Sequence, residues 1–316
     1  LMSHLSSVKN AYPQLQPEHL AIMMSSHNAE PMHIALLNEV MQTTGVREEW
    51  LQCPRAYPQE TESRRRLKEE GIAPRRLYHN CSGKHFGYLL QMKTLGVPLE
   101  SYTSFDAPHF VALKKLISHL LHHQGHELPA TTDGCQLPNF GVSIYEMASL
   151  YQGLANGSVR SFEGTEGIGV TLDDVTQIRA LMLQFPLIIG GSDRLDSKLM
   201  QGYGQLRQDV RVIAKEGADG LLAVGVSACE KFPHGLGILI KLASGFDARH
   251  MEVILREILA QLGLADHHDP VPKQPEGTRT DHLSARFYFN LSSCAGSRGE
   301  AQHLFAAPLS ELAARC

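Results

Sequence analysis

Long apolar runs are missing from this chain. None approaches the roughly 20 residues that a membrane-spanning helix needs. The longest candidates are cut by polar groups or glycine, as at Leu187-Ile188-Ile189-Gly190-Gly191, so no membrane partner is expected. An excess of one charge is missing as well. Lys and Arg number 29 against 33 Asp and Glu, a formal net charge of -4, which leaves no electrostatic case for nucleic acid or an anionic membrane. Cysteine is sparse: Cys53, Cys81, Cys135, Cys229, Cys294 and Cys316 are scattered and form no dense disulfide framework. That usage fits a reducing, cytoplasmic compartment with a few specialised thiols, although an oxidised Cys81–Cys135 pair stays compatible with the spacing. The first residue is Leu1, so the lack of a leader pattern carries no information on targeting. There is no internal repeat. With 316 residues, 43% hydrophobic and 20% charged, the chain suits one large globular domain or two modest ones.

What is present begins with helical periodicity. Apolar residues recur at helical spacing over Pro17–Met24 and Pro31–Met41, separated by the polar turn Ser25-Ser26-His27-Asn28-Ala29-Glu30. A charged helix is predicted over Gln59–Glu70, ended by Gly71, and another from Ser82 with Phe86, Leu89, Leu90 and Leu95 on one side. Phe110 to Leu121 form a further amphipathic helix that stops near Gly125. Its His119 and His123 have the spacing of a helical metal pair, but no carboxylate or further ligand stands near, and a solvated face explains them better. Ser143–Leu154 and Thr171–Phe185 read as two more helices, the second with Thr171 and Asp174 as a capping box and Pro186 as its stop. The pattern then changes to three strands, Val210–Ile213, Leu221–Val226 and Leu236–Leu242, whose short connections favour an antiparallel meander. A periodic helix over Asp247–Leu262 follows. Gly190-Gly191 precedes a polar loop and so makes no phosphate cradle. Helices first and strands later argue for an α+β fold.

Two stretches concentrate chemistry. His79-Asn80-Cys81-Ser82-Gly83-Lys84-His85 sets a thiol, a lysine and two histidines in little more than one turn, and Asp133-Gly134-Cys135 adds a second thiol beside a carboxylate. Cys81 and Cys135 could supply two thiolates to zinc; Lys84 would need a neutral amine to join them, and His85 is the more conventional nitrogen donor. Lys84 and His85 point about 100° apart round a helix, so one of them faces elsewhere. Buried structural cysteines, and a Cys81 nucleophile with His85 as base, are the other readings of the same residues. Ser26, in a polar turn, and Lys215, where a strand is predicted to end before Glu216-Gly217, are a candidate serine and base; a capping serine and a surface lysine are the plainer alternative.

Taken in order, Ser25-Ser26-His27-Asn28-Ala29-Glu30-Pro31, His79-Asn80-Cys81-Ser82-Gly83-Lys84-His85, Asp133-Gly134-Cys135 and Ala214-Lys215-Glu216-Gly217-Ala218-Asp219-Gly220 resemble the asparaginase II family of rhizobial-type inducible amidohydrolases. The likeness covers residues 1–264, read as one domain; residues 265–316 read as a divergent tail. The resemblance implies a fold like that of serine β-lactamases and penicillin-binding proteins, an antiparallel sheet flanked by helices. It implies zinc held by Cys81, Lys84 and Cys135, with Asp133 orienting the shell or a metal-bound water. It further implies Ser26 paired with Lys215, hydrolysis of L-asparagine to L-aspartate and ammonia through an acyl-enzyme, and a homodimer.

The family's other Ser-Lys pair lies in a Ser-x-x-Lys element upstream of the first matched helix; this chain is expected to begin after it, and so to lack the serine that the resemblance implies as nucleophile. Ser6-Ser7-Val8-Lys9 spells Ser-x-x-Lys but falls about a dozen residues too close to Ser26 for the geometry such catalysis demands. The functional expectation is therefore an L-asparagine amidohydrolase, with a catalytically impaired zinc- and amino-acid-binding chain as the alternative.

Overall fold

A computed structural model describes residues 5–122, 128–157, 168, 170–202, 206–243, 245 and 247–265. They fall into two compact units, one of residues 1–142 with 157–197, the other of residues 143–156 with 198–316. The tail from Asp266, Gly125 and His123 lie outside the described residues. Helices and small antiparallel sheets together make the α+β class expected from the sequence.

The first unit is mainly helical: Leu5–Ala11, Pro17–Ile22, Pro31–Thr44, Thr61–Glu69, Ser82–Leu95, Pro108–Leu120, Leu172–Gln184 and the short Pro186–Ile189. Its buried residues include Leu5, Ile22, Leu37, Leu77, Phe86, Leu89, Leu90, Tyr102 and Phe110. The Thr171–Asp174 capping box forms as its spacing predicts, with the Thr171 N–H donating to the Asp174 carboxylate at 2.9 Å and the Asp174 N–H to Thr171 Oγ1 at 3.2 Å. Pro186 does end that helix, but it also opens the next one: proline is favoured at a first helical position, where its missing N–H has no intrahelical partner to lose.

One hairpin escaped the sequence reading. β1 (Ala130–Thr132) pairs antiparallel with β2 (Pro138–Phe140), and the loop between them carries Asp133-Gly134-Cys135. Three-residue strands, the first exposed throughout, leave too short a period to detect.

The second unit holds β3 (Val212–Gly217), β4 (Leu221–Val226) and β5 (Leu236–Lys241) in the order β3-β4-β5, both pairings antiparallel, as the meander required. β3 begins and ends later than its apolar pattern suggests. Lys215 therefore sits inside the strand opposite Ala223, not at its end. The helix Ile144–Asn156 lies on β4 and β5. Gly225 and Gly237 are register partners on those strands, and a methyl group on either would overlap a carbonyl oxygen of this helix, Tyr151 O or Ala148 O. The glycine pair thus sets how closely helix and sheet approach. Gly237→Ala should cost about 1–3 kcal/mol, the usual penalty for overpacking, read as a lower urea midpoint with an unchanged m-value. Among the described residues no helix is long and apolar enough to cross a membrane.

Candidate active site

Residues 25–30 connect two helices, yet they are among the best buried polar residues of the first unit: Ser25, His27, Asn28 and Glu30 are all buried and Ser26 is half-buried. Backbone polar groups taken from water need partners, and this segment finds them on both sides. Ser26 N–H donates to Ile189 O at 3.0 Å, Asn28 N–H to Gly190 O at 3.0 Å, and His27 N–H to Asn80 O at 3.1 Å. Gly190 and Gly191 serve this packing, since a Cβ on Gly191 would meet the side chains of Asn28 and Glu30. Glu30 fixes the same loop by accepting from Ser192 N at 2.7 Å and Ser192 Oγ at 3.0 Å. Ala29 has φ 58°, a left-handed conformation uncommon for a residue with a Cβ.

The helix Ser82–Leu95 meets this segment through its first turn. A Cβ on Gly83 would overlap Ile22 O, so only glycine permits the approach. The next residue is placed by it: Lys84 Nζ donates to Ser26 Oγ at 2.8 Å. Ser82 donates to Leu77 O at 2.9 Å, so its oxygen is left to accept from His27 Nε2 at 3.0 Å. His27 Nδ1 accepts the Ala29 N–H at 3.1 Å. These bonds fix a neutral His27 with its proton on Nε2. His33, stacked on it at 5.2 Å, is fixed in the same form: Nδ1 accepts from Glu30 N–H at 3.0 Å and Nε2 donates to Leu187 O at 2.9 Å.

Burial, joined at His27 by the neighbouring His33 and Lys84 charges, holds both imidazoles below the ordinary value of 6.5. Burial likewise lowers His85 to about 4. The linkage has a definite sign. Above pH 6.5 neither the folded nor the unfolded chain carries these protons, so this contribution to stability is fully present. As pH falls below 6.5 the unfolded chain binds protons that the folded chain refuses, and stability declines towards the folded values, the lowest near 4. Urea midpoints of chelator-treated protein should therefore stay nearly level from pH 7.5 to about 6.5 and drop from there to pH 5.5, and a flat profile over the lower range would contradict the lowered proton affinity of these imidazoles.

The two thiols come together from separate elements. Cys81 stands at the helix N-terminus and Cys135 in the β1–β2 loop; both are buried and both are free. Each is the other's largest influence, through a hydrogen bond between their side chains. That contact pulls the Cys81 thiol down, with help from the Lys84 charge and from His79, and pushes the Cys135 thiol up, with help from burial and Asp133. The pair thus favours thiolate character at Cys81 over Cys135. Asp133 shapes the loop: its Oδ1 accepts from Cys135 N–H at 2.8 Å and from Leu137 N–H at 3.3 Å, and Gln136 takes φ 74° at the turn. Among the described residues, no three His, Cys, Asp or Glu groups converge as a metal cluster.

The structure therefore brings Ser26, Lys84, Cys81, Cys135 and Asp133 into one unit. Lys215 lies in the other, half-buried on β3, with its Nζ donating to Glu216 O at 3.1 Å. Ser6 and Lys9 are not paired with each other. Ser6 Oγ donates to Asp174 at 3.0 Å and Lys9 Nζ to Gln177 at 3.1 Å, fastening the first helix to Leu172–Gln184. His85 faces away from Lys84, as the 100° step requires, with Nδ1 2.5 Å from the Tyr102 hydroxyl. Sequence reasoning missed two residues. Gly83 makes the approach that delivers Lys84, and a glycine inside a helical pattern was the available signal. His79 accepts the Cys81 N–H at 3.0 Å and helps to draw the Cys81 thiol down; it stood in the quoted motif without an assigned task.

The sequence pattern of the L-asparaginase II family matches residues 3–283. No curated protein matches the chain.

Proposed function

The chain belongs to the L-asparaginase II family, and from that premise we propose that it is an L-asparagine amidohydrolase working through a serine acyl-enzyme. The observation that carries the reading is the Lys84–Ser26 hydrogen bond of 2.8 Å, made in a segment whose backbone N–H groups at Ser26, His27 and Asn28 are all paired. A serine so held is restricted to few orientations, which is what a nucleophile needs. Ser26 Oγ attacks the side-chain amide carbon, its proton passes through a lysine to the departing nitrogen, which leaves as ammonia, and water releases aspartate from the ester. Lys215 is the proposed base. Ser26-His27-Asn28 and Lys215-Glu216-Gly217 resemble the Ser-x-Asn and Lys-x-Gly elements of penicillin-recognising enzymes, which supports the pairing of Ser26 with Lys215; the Ser-x-x-Lys serine is the nucleophile there, so the nucleophile role of Ser26 rests on its contact with Lys84.

Zinc is proposed at Cys81, Cys135 and Lys84. Two buried sulfurs in mutual hydrogen-bonding reach, with the Cys81 thiol drawn down by its neighbours, suit a thiophilic divalent cation. With two sulfurs and one amine as its donors, such an ion would supply Lewis acidity and a position open to substrate. Asp133 would hold Cys135 in place, acting as an outer-sphere support through the loop amides.

The test is ammonia release from L-asparagine by the purified chain, with zinc measured on the same sample and Ser26→Ala beside it. Turnover that falls by about 100-fold or more in Ser26→Ala supports the reading, on the scale of losing an acid–base or nucleophilic group. Zinc retention without turnover would instead establish the binding protein.

A further inference from the structure

From Cys81 to Met92 every residue is buried except Lys84 and Tyr88. The two stand four apart on one helix and so share a face, and over this stretch that face is where the helix opens to solvent. Lys84 Nζ lies 2.8 Å from Ser26 Oγ. Long side chains on a helix lean back toward its N-terminus, which lays the Tyr88 ring over the turn that carries Lys84 and Cys81. The ring is clamped there: His109 stacks on it at 4.6 Å and Phe110 tilts against it at 4.9 Å, both of them buried. Burial, and then the charges of Cys135, Asp133 and Cys81, raise the Tyr88 hydroxyl above its ordinary value of 10.0. Those three neighbours are the remaining members of the candidate site.

Phenylalanine would serve the packing as well. A phenol adds one O–H donor, and the Tyr88 hydroxyl makes no hydrogen bond among the described residues. Other donors round Ser26 are committed. The N–H groups of Ser26, His27 and Asn28 reach carbonyl oxygens, Ser82 Oγ donates to Leu77 O, and His27 and His33 are tied to Ser82 and Leu187 O. His85 Nε2 also lacks a partner, but His85 has no exposed surface by which a substrate could meet it. Tyr88 is half-buried and open. We propose that the Tyr88 hydroxyl binds the substrate, donating to the side-chain amide oxygen on which negative charge gathers as Ser26 attacks. This rests on the amidohydrolase reading given above. A donor already fixed where charge develops strengthens most in the transition state, so its effect falls on the chemical step.

The test is steady-state ammonia release by the purified full chain, in the wild type, Tyr88→Phe and Phe110→Leu. Tyr88→Phe keeps the ring against His109 and removes only the donor. Its kcat for L-asparagine should fall about 100-fold, the scale of one lost oxyanion donor, while KM stays within about three-fold. Its zinc affinity, read by chelator competition, and its urea midpoint should match the wild type, because the lost hydroxyl leaves no partner unpaired. Phe110→Leu keeps the hydroxyl and loosens the seat of the ring, so it should lower the urea midpoint and cost less kcat than Tyr88→Phe. Four outcomes overturn the inference: wild-type kcat in Tyr88→Phe; a loss confined to KM; a loss that follows zinc affinity, which would make the phenol a metal ligand; or equal loss of turnover in Phe110→Leu, which would make packing the cause. Unchanged turnover in Ser26→Ala would instead defeat the reading beneath it, and no ammonia from the wild type would defeat both.

Discussion

Gly83→Ala should lose asparagine turnover while costing the fold about 1–3 kcal/mol or somewhat more, the range for forcing atoms into a packed contact. The obstacle is a backbone carbonyl, Ile22 O, which has no rotamer by which to escape. The helix Ser82–Leu95 must therefore move as a body, carrying Lys84 away from Ser26 and Ser82 away from His27. Catalytic geometry tolerates less displacement than folding does, so activity should suffer more than stability. Gly134→Ala is the natural comparison. A Cβ there meets nothing within 4 Å, and a surface change of this kind should stay within about 0.5 kcal/mol. Urea unfolding and ammonia release on both variants check the pair of expectations. A Gly83→Ala protein with wild-type stability and turnover would show that the contact can relax, and the proposed basis of the site would fail.

Asp133 should separate a structural carboxylate from a catalytic one. The carboxylate oxygen holds the Cys135 loop through two backbone N–H groups. Asparagine keeps an oxygen that can accept both, whereas alanine leaves those donors without it. We expect Asp133→Asn to retain most zinc affinity and turnover. We expect Asp133→Ala to lose about 10–100-fold in zinc affinity, as when an outer-shell support is removed from a metal ligand. Competition with a chromogenic chelator measures the affinity without recourse to activity. If Asp133→Asn is as inactive as Asp133→Ala while zinc affinity stays high, the carboxylate charge takes part in the chemistry itself.

Much of the fold was readable from local rules. The meander β3-β4-β5, the Thr171–Asp174 box and the long helices each rest on period, capping or turn chemistry within a few residues. The misplacements have local causes too. β1 and β2 are too short to show alternation, and Lys215 joined β3 because strand pairing with Ala223 continues past the apolar run. The candidate site residues were also visible, because Ser26, Cys81, Lys84, Asp133 and Cys135 stand in compact polar motifs.

The sequence by itself determined which chemical groups the chain owns and the family to which it belongs. Only the tertiary structure decided who meets whom. Lys84 stands 58 positions from Ser26, and Cys81 and Cys135 are carried by a helix end and a hairpin loop. No periodicity or propensity encodes such meetings. They depend on a carbonyl that only glycine can approach, at Gly83, and on a turn that an aspartate side chain closes, at Asp133. Long-range pairing is set by packing and by the need of buried polar groups for partners, and both exist only once the chain has folded.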